Sequence, residues 1–228
     1  MTRAPFVKSL PNVASFTNAV TAMINRRDGA PGMVLVQSNP GYGKTETGLW
    51  WAAQTDSAFV EVWPAMSPRW LMESIVAELK VKPTYGTQKL VKQAQEQLLE
   101  NPRTIILDEV DHLNAENLKL IKRLHDCTGA PIVFIGEDGI SEKLKRHGNL
   151  YSRFGRFVKF QPLSDADIRI AAQELCAAPL DASGIAWMHV RTQGSFRLLM
   201  TYFEGAEKLA KVNKLSTVTA ADLKKLEK

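Results

Sequence analysis

A glycine-rich octapeptide between a strand-like run and a helix-like run carries the clearest chemistry in this sequence. It reads Ser38-Asn-Pro-Gly-Tyr-Gly-Lys44-Thr45 and follows the apolar residues 33–37. Its glycines let backbone N–H groups turn toward an anion with no Cβ in the way, and a helix N-terminus adds partial positive charge. The segment therefore predicts a phosphate-binding loop, with Ser38 in place of the first glycine of the usual pattern.

The residues at the end of this loop indicate which phosphate compound it binds. Lys44 is long enough to reach the β- and γ-phosphates of a nucleoside triphosphate, and Thr45 offers a hydroxyl to Mg²⁺. If the segment were an ordinary strand-to-helix turn, this lysine–threonine pair would be a coincidence. We predict that the nucleotide is bound by Asn39, Pro40, Gly41, Tyr42, Gly43, Lys44, Thr45 and Glu46.

A second strand-like run ends in two acids, in the segment Thr104-Ile-Ile-Leu-Asp108-Glu109. Asp108 is placed to hold Mg²⁺ directly or through water, and Glu109 to polarise an attacking water. Taken alone, the segment is equally compatible with a strand that ends in a solvated acidic turn. Because it falls on the same predicted sheet as the phosphate loop, the two motifs together predict a nucleoside triphosphate hydrolase.

Three further side chains are candidates for contact with the γ-phosphate. Glu137 follows the fourth predicted strand, where it contacts water or reaches Mg²⁺ indirectly, or else is a loop acid with no role. Arg153, with Arg156 as the second choice, lies just before the fifth strand. It is predicted to be an arginine finger in an oligomer, or else to form a surface salt bridge. Arg197 opens a later helix, from which it could reach the γ-phosphate across a domain cleft, or else lies on a helix surface.

These residues are positioned by alternating strands and helices up to residue 163, and by helices alone after it. Strands are predicted at 33–37, 58–63, 104–107, 131–135 and 157–160. Helices are predicted at 18–27, 45–53, 68–79, 87–99, 114–125, 164–176, 183–191, 195–211 and 219–228. This pattern predicts an α/β domain over residues 1–163, with a parallel sheet between helices, and a small helical lid over residues 164–228.

Composition excludes several classes of protein. No apolar run approaches the length of a membrane helix, the first residues do not resemble a signal peptide, and two distant cysteines make neither a disulfide framework nor a zinc site. A reducing cytoplasm is the expected compartment. The net charge is +5, and residues 143–163 contain six cations and no acid. That run is either a solvated face or a surface that meets phosphate.

The motifs in this order resemble the AAA+ ATPase superfamily over residues 30–228. The loop corresponds to Walker A, Asp108-Glu109 to Walker B, Glu137 to sensor 1 and Arg197 to sensor 2. Within the superfamily, Asp108-Glu-Val-Asp-His-Leu and Ile135-Gly-Glu-Asp-Gly-Ile are similar to the branch of phage Mu transposition protein B and TnsC. Since there is no room for a helix-turn-helix domain before Ser38, the chain resembles a shorter relative in that branch.

The resemblance implies a function that the motifs alone do not give. Proteins of this branch bind ATP and Mg²⁺, assemble as helical filaments on double-stranded DNA, and direct a transposase to that DNA. Hydrolysis disassembles the filament. The resemblance also implies contacts with the DNA backbone by residues that are otherwise a solvated helix face, namely Arg69, Lys80, Lys82, Lys89 and Lys92.

Two other functions remain open at this point. One is a loader or adaptor ATPase that remodels a protein partner such as a replicative helicase. The other is a signalling ATPase of a secretion or defence system, with no DNA contact. A loader forms a stable complex with its partner and no filament, so the assembly that forms with DNA and ATP distinguishes the three.

Overall fold

Five parallel strands form one sheet in the computed structural model, which describes residues 6–227. The strands are β1 (Met33–Ser38), β2 (Ala58–Glu61), β3 (Ile105–Asp108), β4 (Ile132–Glu137) and β5 (Phe154–Lys159). Their order in the sheet is β2-β3-β4-β1-β5. All neighbouring strands are parallel, and Met33 of β1 pairs with Ile132 of β4. The predicted α/β fold with a parallel sheet is therefore confirmed.

Helices separate and follow these strands in the order that the sequence predicts. The α-helices are α1 (Pro11–Ile24), α2 (Lys44–Thr55), α3 (Pro68–Glu78), α4 (Thr87–Glu100), α5 (Ala115–Thr128), α6 (Ile140–Lys145), α7 (Gly148–Tyr151), α8 (Asp165–Leu175), α9 (Ala182–Thr192), α10 (Phe196–Asn213) and α11 (Ala220–Leu223). Short 3-10 helices lie at Val110–His112 and Lys224–Glu227. The short helices α6 and α7 were not expected from the sequence.

Several predicted boundaries are wrong, and three elements show the reasons. The first helix begins at Pro11 and ends at Ile24, not 18–27, because Val13, Phe16 and Val20 recur at helical spacing and are all buried. Strand β5 begins at Phe154, three residues early, since its pairing with β1 starts there. The last predicted helix is a short α-helix followed by a 3-10 turn, and residue 228 lies outside the described residues.

The chain divides into two compact units. In the described part, the first contains residues 6–14, 39–46 and 160–227, and we call it the helical unit. The second contains residues 15–38 and 47–159, and we call it the sheet unit. The candidate phosphate loop belongs to the helical unit and the strands belong to the sheet unit. The division into domains 1–163 and 164–228 stays a prediction.

Each unit has an apolar core. In the sheet unit, β1 and β4 are covered on both faces, as expected for parallel strands that read as continuous apolar runs. The apolar faces of α3, α4 and α5 are buried, with no residue of the set more than 2% exposed; they are Leu71, Ile75, Leu90, Ala94, Leu98, Leu118, Ile121 and Leu124. In the helical unit, Ile168, Met188, Leu199 and Phe203 are buried.

No helix among the described residues is long and apolar enough to cross a membrane. Cys127 and Cys176 are both free thiols, and Cys127 is exposed.

Candidate functional site

Both glycines of the candidate phosphate loop at residues 39–46 have a left-handed backbone conformation. Gly41 has φ +84° and Gly43 has φ +86°, a region that residues with a Cβ rarely adopt. Lys44 is the first residue of α2, and its Nζ donates a hydrogen bond to the carbonyl oxygen of Asn39 at 3.2 Å. Thr45, in the first turn of the same helix, is exposed. The loop and the first turn of α2 therefore bring backbone N–H groups and the Lys44 cation close together.

The N-terminus of α10 is hydrogen-bonded to this loop. The backbone N–H of Arg197 donates to the carbonyl oxygen of Gly41 at 3.1 Å. Ser195 is the N-cap of α10, and its hydroxyl accepts from the Leu198 N–H and lies 3.5 Å from the Gly41 carbonyl oxygen. A Cβ on Gly41 would lie 2.6 Å from the Ser195 oxygen. Glycine is therefore needed here both for its φ and for this close approach.

This contact places Arg197 in the first turn of a helix that touches the phosphate loop, and its side chain is exposed. The predicted sensor 2 arginine thus lies in the helical unit, beside the loop. Its contact with the γ-phosphate stays a prediction.

Ser38 occupies the position of the first glycine in the usual phosphate-loop pattern. It is the last residue of β1 and pairs with Glu137 at the end of β4. Its side chain is fully buried, and its φ is not among the positive ones. Since the backbone is that of a strand here, a serine is accommodated without strain.

The two acids of the second motif lie at the carboxyl end of β3, in the sheet unit. Asp108 is 3% exposed, and its Oδ1 accepts a hydrogen bond from the Glu109 N–H at 3.0 Å. Glu109 has φ +55°, an unusual conformation for a residue with a side chain, and precedes the 3-10 helix at Val110–His112. Asp108 is thus a buried carboxylate fixed by its neighbour, and Glu109 is partly exposed.

Asp111 is a residue of this region to which the sequence analysis assigned no role. Its Oδ2 accepts a hydrogen bond from the backbone N–H of Glu137 at 2.7 Å. A Cβ on Gly136 would lie 2.7 Å from the same oxygen. The Lys143 Nζ also contacts this turn, donating hydrogen bonds to the carbonyl oxygens of Asp111 at 2.5 Å and Leu113 at 2.8 Å. The turn after β3 is therefore locked to the end of β4, where the exposed side chain of Glu137 lies.

A sequence signal for Asp111 did exist. It is the third residue after Asp108 in the segment quoted above, and Gly136 immediately precedes Glu137. An acid that follows one strand and a glycine at the end of another are compatible with a close contact between two neighbouring strand ends.

Arg153 is held by an ion pair within the sheet unit. Its Nε and Nη2 donate to the two carboxylate oxygens of Asp126 at 3.0 and 3.2 Å, and its Nη1 donates to the carbonyl oxygen of Asn149. Burial tends to raise the pKa of Asp126, but hydrogen bonds from Arg153 and Lys122 lower it below its ordinary value. Arg156 is exposed and donates to the Gly155 carbonyl oxygen. The finger role stays a prediction for either arginine.

Two of the five candidate DNA-contacting residues lie at opposite ends of α3. Arg69, at the start of α3, pairs with Glu73 and lies 4.2 Å from the centre of the Tyr85 ring. Lys80 lies past the other end of α3, roughly 16 Å away along a helix of this length, where it pairs with Asp56 at 2.5 Å.

The remaining three candidates lie after α3. Lys92 pairs with Glu96 within α4 at 3.5 Å. Lys82 and Lys89 are exposed, and within residues 6–227 neither forms an ion pair. Among the five, these two lysines are therefore the best placed to attract an anion.

The donor atoms available for Mg²⁺ are oxygens. The described residues contain no cluster of three histidine, cysteine or acidic side chains able to hold a metal by themselves. The hydroxyl of Thr45 and the buried carboxylate of Asp108 are ligand types that Mg²⁺ prefers, and Mg²⁺ commonly completes its shell with water and substrate phosphate. The residues present therefore fit a metal that arrives with a nucleotide.

Comparison with known sequences identifies the family. Residues 26–144, more than half of the chain, match the AAA domain. The chain belongs to the AAA domain family. A protein of Staphylococcus aureus described as "Potential ATP-binding protein" is 29% identical to this AAA protein over 124 residues, which are 50% of this chain and 46% of that protein.

Solved structures share the fold at low sequence identity. The Cdc6p protein of Pyrobaculum aerophilum has a TM-score of 0.70 and 16% identity, over 95% of this chain and 66% of that one. The ORC1 protein of Aeropyrum pernix, solved in complex with DNA, has a TM-score of 0.65 and 15% identity, over 95% and 63%. The chain thus spans less than two thirds of these proteins, and at these identities the similarity shows the AAA+ P-loop ATPase fold.

Proposed function

We propose that this AAA protein binds ATP with Mg²⁺ and hydrolyses it. The observation that supports this most strongly is the fastening of α10 to the loop, through the Arg197 N–H and the Gly41 carbonyl. An ordinary strand-to-helix turn needs neither two glycines at positive φ nor a helix N-terminus docked on its backbone. Positive φ at two glycines is expected of a loop whose N–H groups receive phosphate oxygens. The contact also brings a second helix N-terminus, with its partial positive charge, beside that loop.

The side chains have distinct roles in this proposal. Lys44 neutralises the β- and γ-phosphates, and loop N–H groups orient them. Thr45 and Asp108 would hold Mg²⁺, which would supply charge neutralisation of the phosphates. Glu109 accepts the proton of the attacking water, and Arg197 contacts the γ-phosphate. Glu137 fixes a water beside it, and Arg153 of a neighbouring protomer stabilises charge in an assembled state.

Two substitutions test this proposal. Lys44→Ala removes the cation that faces the phosphates, so nucleotide affinity should fall severely, whereas Lys208→Ala on the exposed surface of α10 should leave it unchanged. Glu109→Gln should retain affinity and slow hydrolysis by about 10²–10⁴-fold, with Glu116→Gln as the control. Titration with a fluorescent ATP analogue and phosphate release measure the two effects. Wild-type affinity in Lys44→Ala would overturn the proposal.

We further propose that ATP drives assembly of the protein as a helical filament on double-stranded DNA, which it delivers to a transposase. This is supported by the similarity of the segments at Asp108 and Ile135 to the phage Mu transposition protein B and TnsC branch, and by the exposed Lys82 and Lys89. The complex of the similar ORC1 protein with DNA is compatible with it.

Negative-stain microscopy tests this second proposal. Filaments should form with DNA and ATP together, and DNA binding should weaken when ADP replaces ATP. Changing Lys82 and Lys89 to glutamine should weaken DNA binding at every sequence and reduce the slope of log affinity against log salt by up to about 2. Equal DNA binding in both nucleotide states would contradict it. A stable complex with a helicase and no filament would favour a loader function instead.

A further inference from the structure

The segment that joins α3 to α4 in the sheet unit presents a tyrosine to solvent. Tyr85 lies just before α4 and is 78% exposed, the largest exposed fraction of any aromatic residue within residues 6–227. Burial of such a ring would contribute favourable hydrophobic free energy, which this conformation forgoes. Tyr85 therefore does not serve the apolar core, and its ring is available to a ligand.

One face of the Tyr85 ring is covered by an arginine. The Arg69 guanidinium carbon lies 4.2 Å from the ring centre, which is a cation–π contact. Arg69 is itself held, because its Nε donates a hydrogen bond to the Glu73 Oε1 at 2.8 Å. Since the residue is largely exposed although Arg69 covers one face, the opposite face of the ring is open to solvent.

The backbone before Tyr85 is also held in place. The Gln93 Nε2, on α4, donates a hydrogen bond to the carbonyl oxygen of Lys82 at 2.8 Å. The Gln93 Oε1 accepts hydrogen bonds from the Thr84 N–H at 3.1 Å and from its hydroxyl at 3.3 Å. A ligand of Tyr85 thus meets a ring and a backbone that are already positioned, so less conformational entropy is lost on binding.

The surroundings of Tyr85 in the sequence are cationic and polar. Residues 79–95 contain four lysines and no acid, and Tyr85 is their one exposed large hydrophobic residue. Lys82 and Lys89 are exposed, and neither forms an ion pair within residues 6–227. The centre of a protein–protein interface is usually apolar and poor in lysine. An aromatic ring among unpaired lysines instead matches a ligand that has both flat rings and negative charge.

Other exposed aromatic rings lie near the N-terminus of α3. Trp70, which follows Arg69 in the first turn of the helix, is 44% exposed, and Trp63, shortly before the helix, is 52% exposed. Within residues 6–227, three of the four exposed large aromatic residues thus belong to this part of the sheet unit, the fourth being Phe157. The surface therefore offers several rings as well as cations.

We propose that this surface binds single-stranded nucleic acid, with an unpaired base stacked on the open face of Tyr85 and backbone phosphates on Lys82 and Lys89. Every base has a π face, so such stacking tolerates any sequence. The bases of a duplex are already stacked on one another, whereas those of a single strand can turn toward the protein. The inference goes beyond the proposed filament on double-stranded DNA and shares with it only the two lysines.

Fluorescence anisotropy in nucleotide-free buffer tests this inference with three labelled ligands of equal length. They are oligothymidylate, an oligomer with abasic sites in place of the bases, and a DNA duplex. The abasic oligomer keeps the phosphates, so it separates stacking from attraction of a polyanion to lysines. The full-length protein should bind oligothymidylate at least about fivefold more tightly than the abasic oligomer, the lower limit for one stacked base.

Substitutions of Tyr85 isolate the ring. Tyr85→Ala should lower affinity for oligothymidylate about 5–100-fold and leave affinity for the abasic oligomer and the duplex unchanged. Tyr85→Phe keeps the ring and should bind as the wild type does. The matched control is Leu99→Ala, which removes another exposed side chain of α4 and should have no effect. Thermal unfolding monitors the fold of each variant.

The salt dependence distinguishes the ring from the lysines. Tyr85→Ala should leave the slope of log affinity against log salt unchanged, because no phosphate contact is lost. Changing Lys82 and Lys89 to glutamine should reduce that slope by up to about 1.4 for a single strand. The filament proposal concerns duplex DNA with ATP, so its failure would leave these nucleotide-free measurements unaffected.

Equal affinity for oligothymidylate and the abasic oligomer, or wild-type affinity for oligothymidylate in Tyr85→Ala, would overturn the inference. An equal loss in Tyr85→Phe and Tyr85→Ala would also overturn it, since the hydroxyl rather than the ring face would then be the contact. An equal loss of single-strand and duplex affinity in Tyr85→Ala would show a contact with duplex DNA instead. Self-association that Tyr85→Ala abolishes, with oligothymidylate affinity unchanged, would show a contact between copies of the chain.

Discussion

Gly41 and Gly43 provide a comparison that isolates the contact between the phosphate loop and α10. Both glycines have nearly the same positive φ, +84° and +86°. A Cβ on Gly43 would meet nothing within 4 Å, whereas a Cβ on Gly41 would lie 2.6 Å from the Ser195 hydroxyl. Substitution by alanine therefore imposes a similar backbone strain at both positions, and a steric conflict at Gly41 alone.

The difference in stability between Gly41→Ala and Gly43→Ala follows from the hydrogen bond that the Ser195 hydroxyl must lose. Alanine at positive φ costs about 1–2 kcal/mol at either position. To admit the new methyl group, the Ser195 hydroxyl must rotate away and lose its N-cap bond to Leu198, which costs about 1 kcal/mol more. For a chain of this length, the extra loss lowers the melting temperature of Gly41→Ala below that of Gly43→Ala by about 2–4 °C.

Thermal unfolding in nucleotide-free buffer measures this difference, and Ser195→Ala supplies the test of its cause. With the hydroxyl absent, the nearest atoms to the new methyl group are the Arg197 Cβ at 3.4 Å and the residue 195 Cβ at 3.8 Å, both ordinary contacts. The two glycine substitutions should therefore cost the same in the Ser195→Ala background. Equal melting temperatures for the two variants in the wild-type background, or a difference that persists without the hydroxyl, would refute the reasoning.

Three further predictions follow from the sheet unit. Asp111→Ala removes the acceptor of the Glu137 N–H, which is exposed and can turn to water, and should lower the free energy of unfolding by about 0.5–1.5 kcal/mol. Asp111→Asn, which keeps an acceptor oxygen, should lose less, and an equal loss in urea unfolding would contradict this. Burial lowers the pKa of His125 below 6.5, so the free energy of unfolding should fall as the pH drops below about 6.5. Urea unfolding at pH 7 and 5 should show a smaller fall for His125→Gln than for the wild type, and an identical fall would exclude His125 as the cause. Arg153→Ala should leave ATP binding by the monomer intact and lower assembly-dependent hydrolysis, with a stability loss below about 1 kcal/mol; unchanged hydrolysis would point to Arg156.

The features that the sequence predicted well depend on local patterns. Strands β1, β3 and β4 are uninterrupted apolar runs, and burial on both faces is the reason that such runs form parallel strands. Helix α8 begins close to its predicted start at residue 164, because the capping box of Ser164 and Asp167 makes both of its hydrogen bonds within four residues. Ser38 could also be reconciled with a phosphate loop, since a strand end does not require a positive φ.

The contacts that the sequence did not reveal join residues far apart in the chain. The bond from Glu137 to Asp111 spans 26 residues, and that from Lys143 to Asp111 spans 32. Neither depends on periodicity or on a known motif, and each side chain, taken alone, is equally compatible with a solvated loop. Only the neighbouring positions of β3 and β4 in the sheet bring the turn and the strand end together.

Clusters of charge along the sequence were the least reliable guide, because proximity along the chain is not proximity in space. Half of the six cations in the run at residues 143–163 are paired, since Lys145, Arg153 and Lys159 meet acids of the sheet unit. Arg146 instead faces Lys119 and Arg123, more than 20 residues earlier in the sequence. Acids that are distant in the sequence can therefore pair with cations of a run once the chain has folded. The cations that remain without an ion pair after folding are the better targets for mutation.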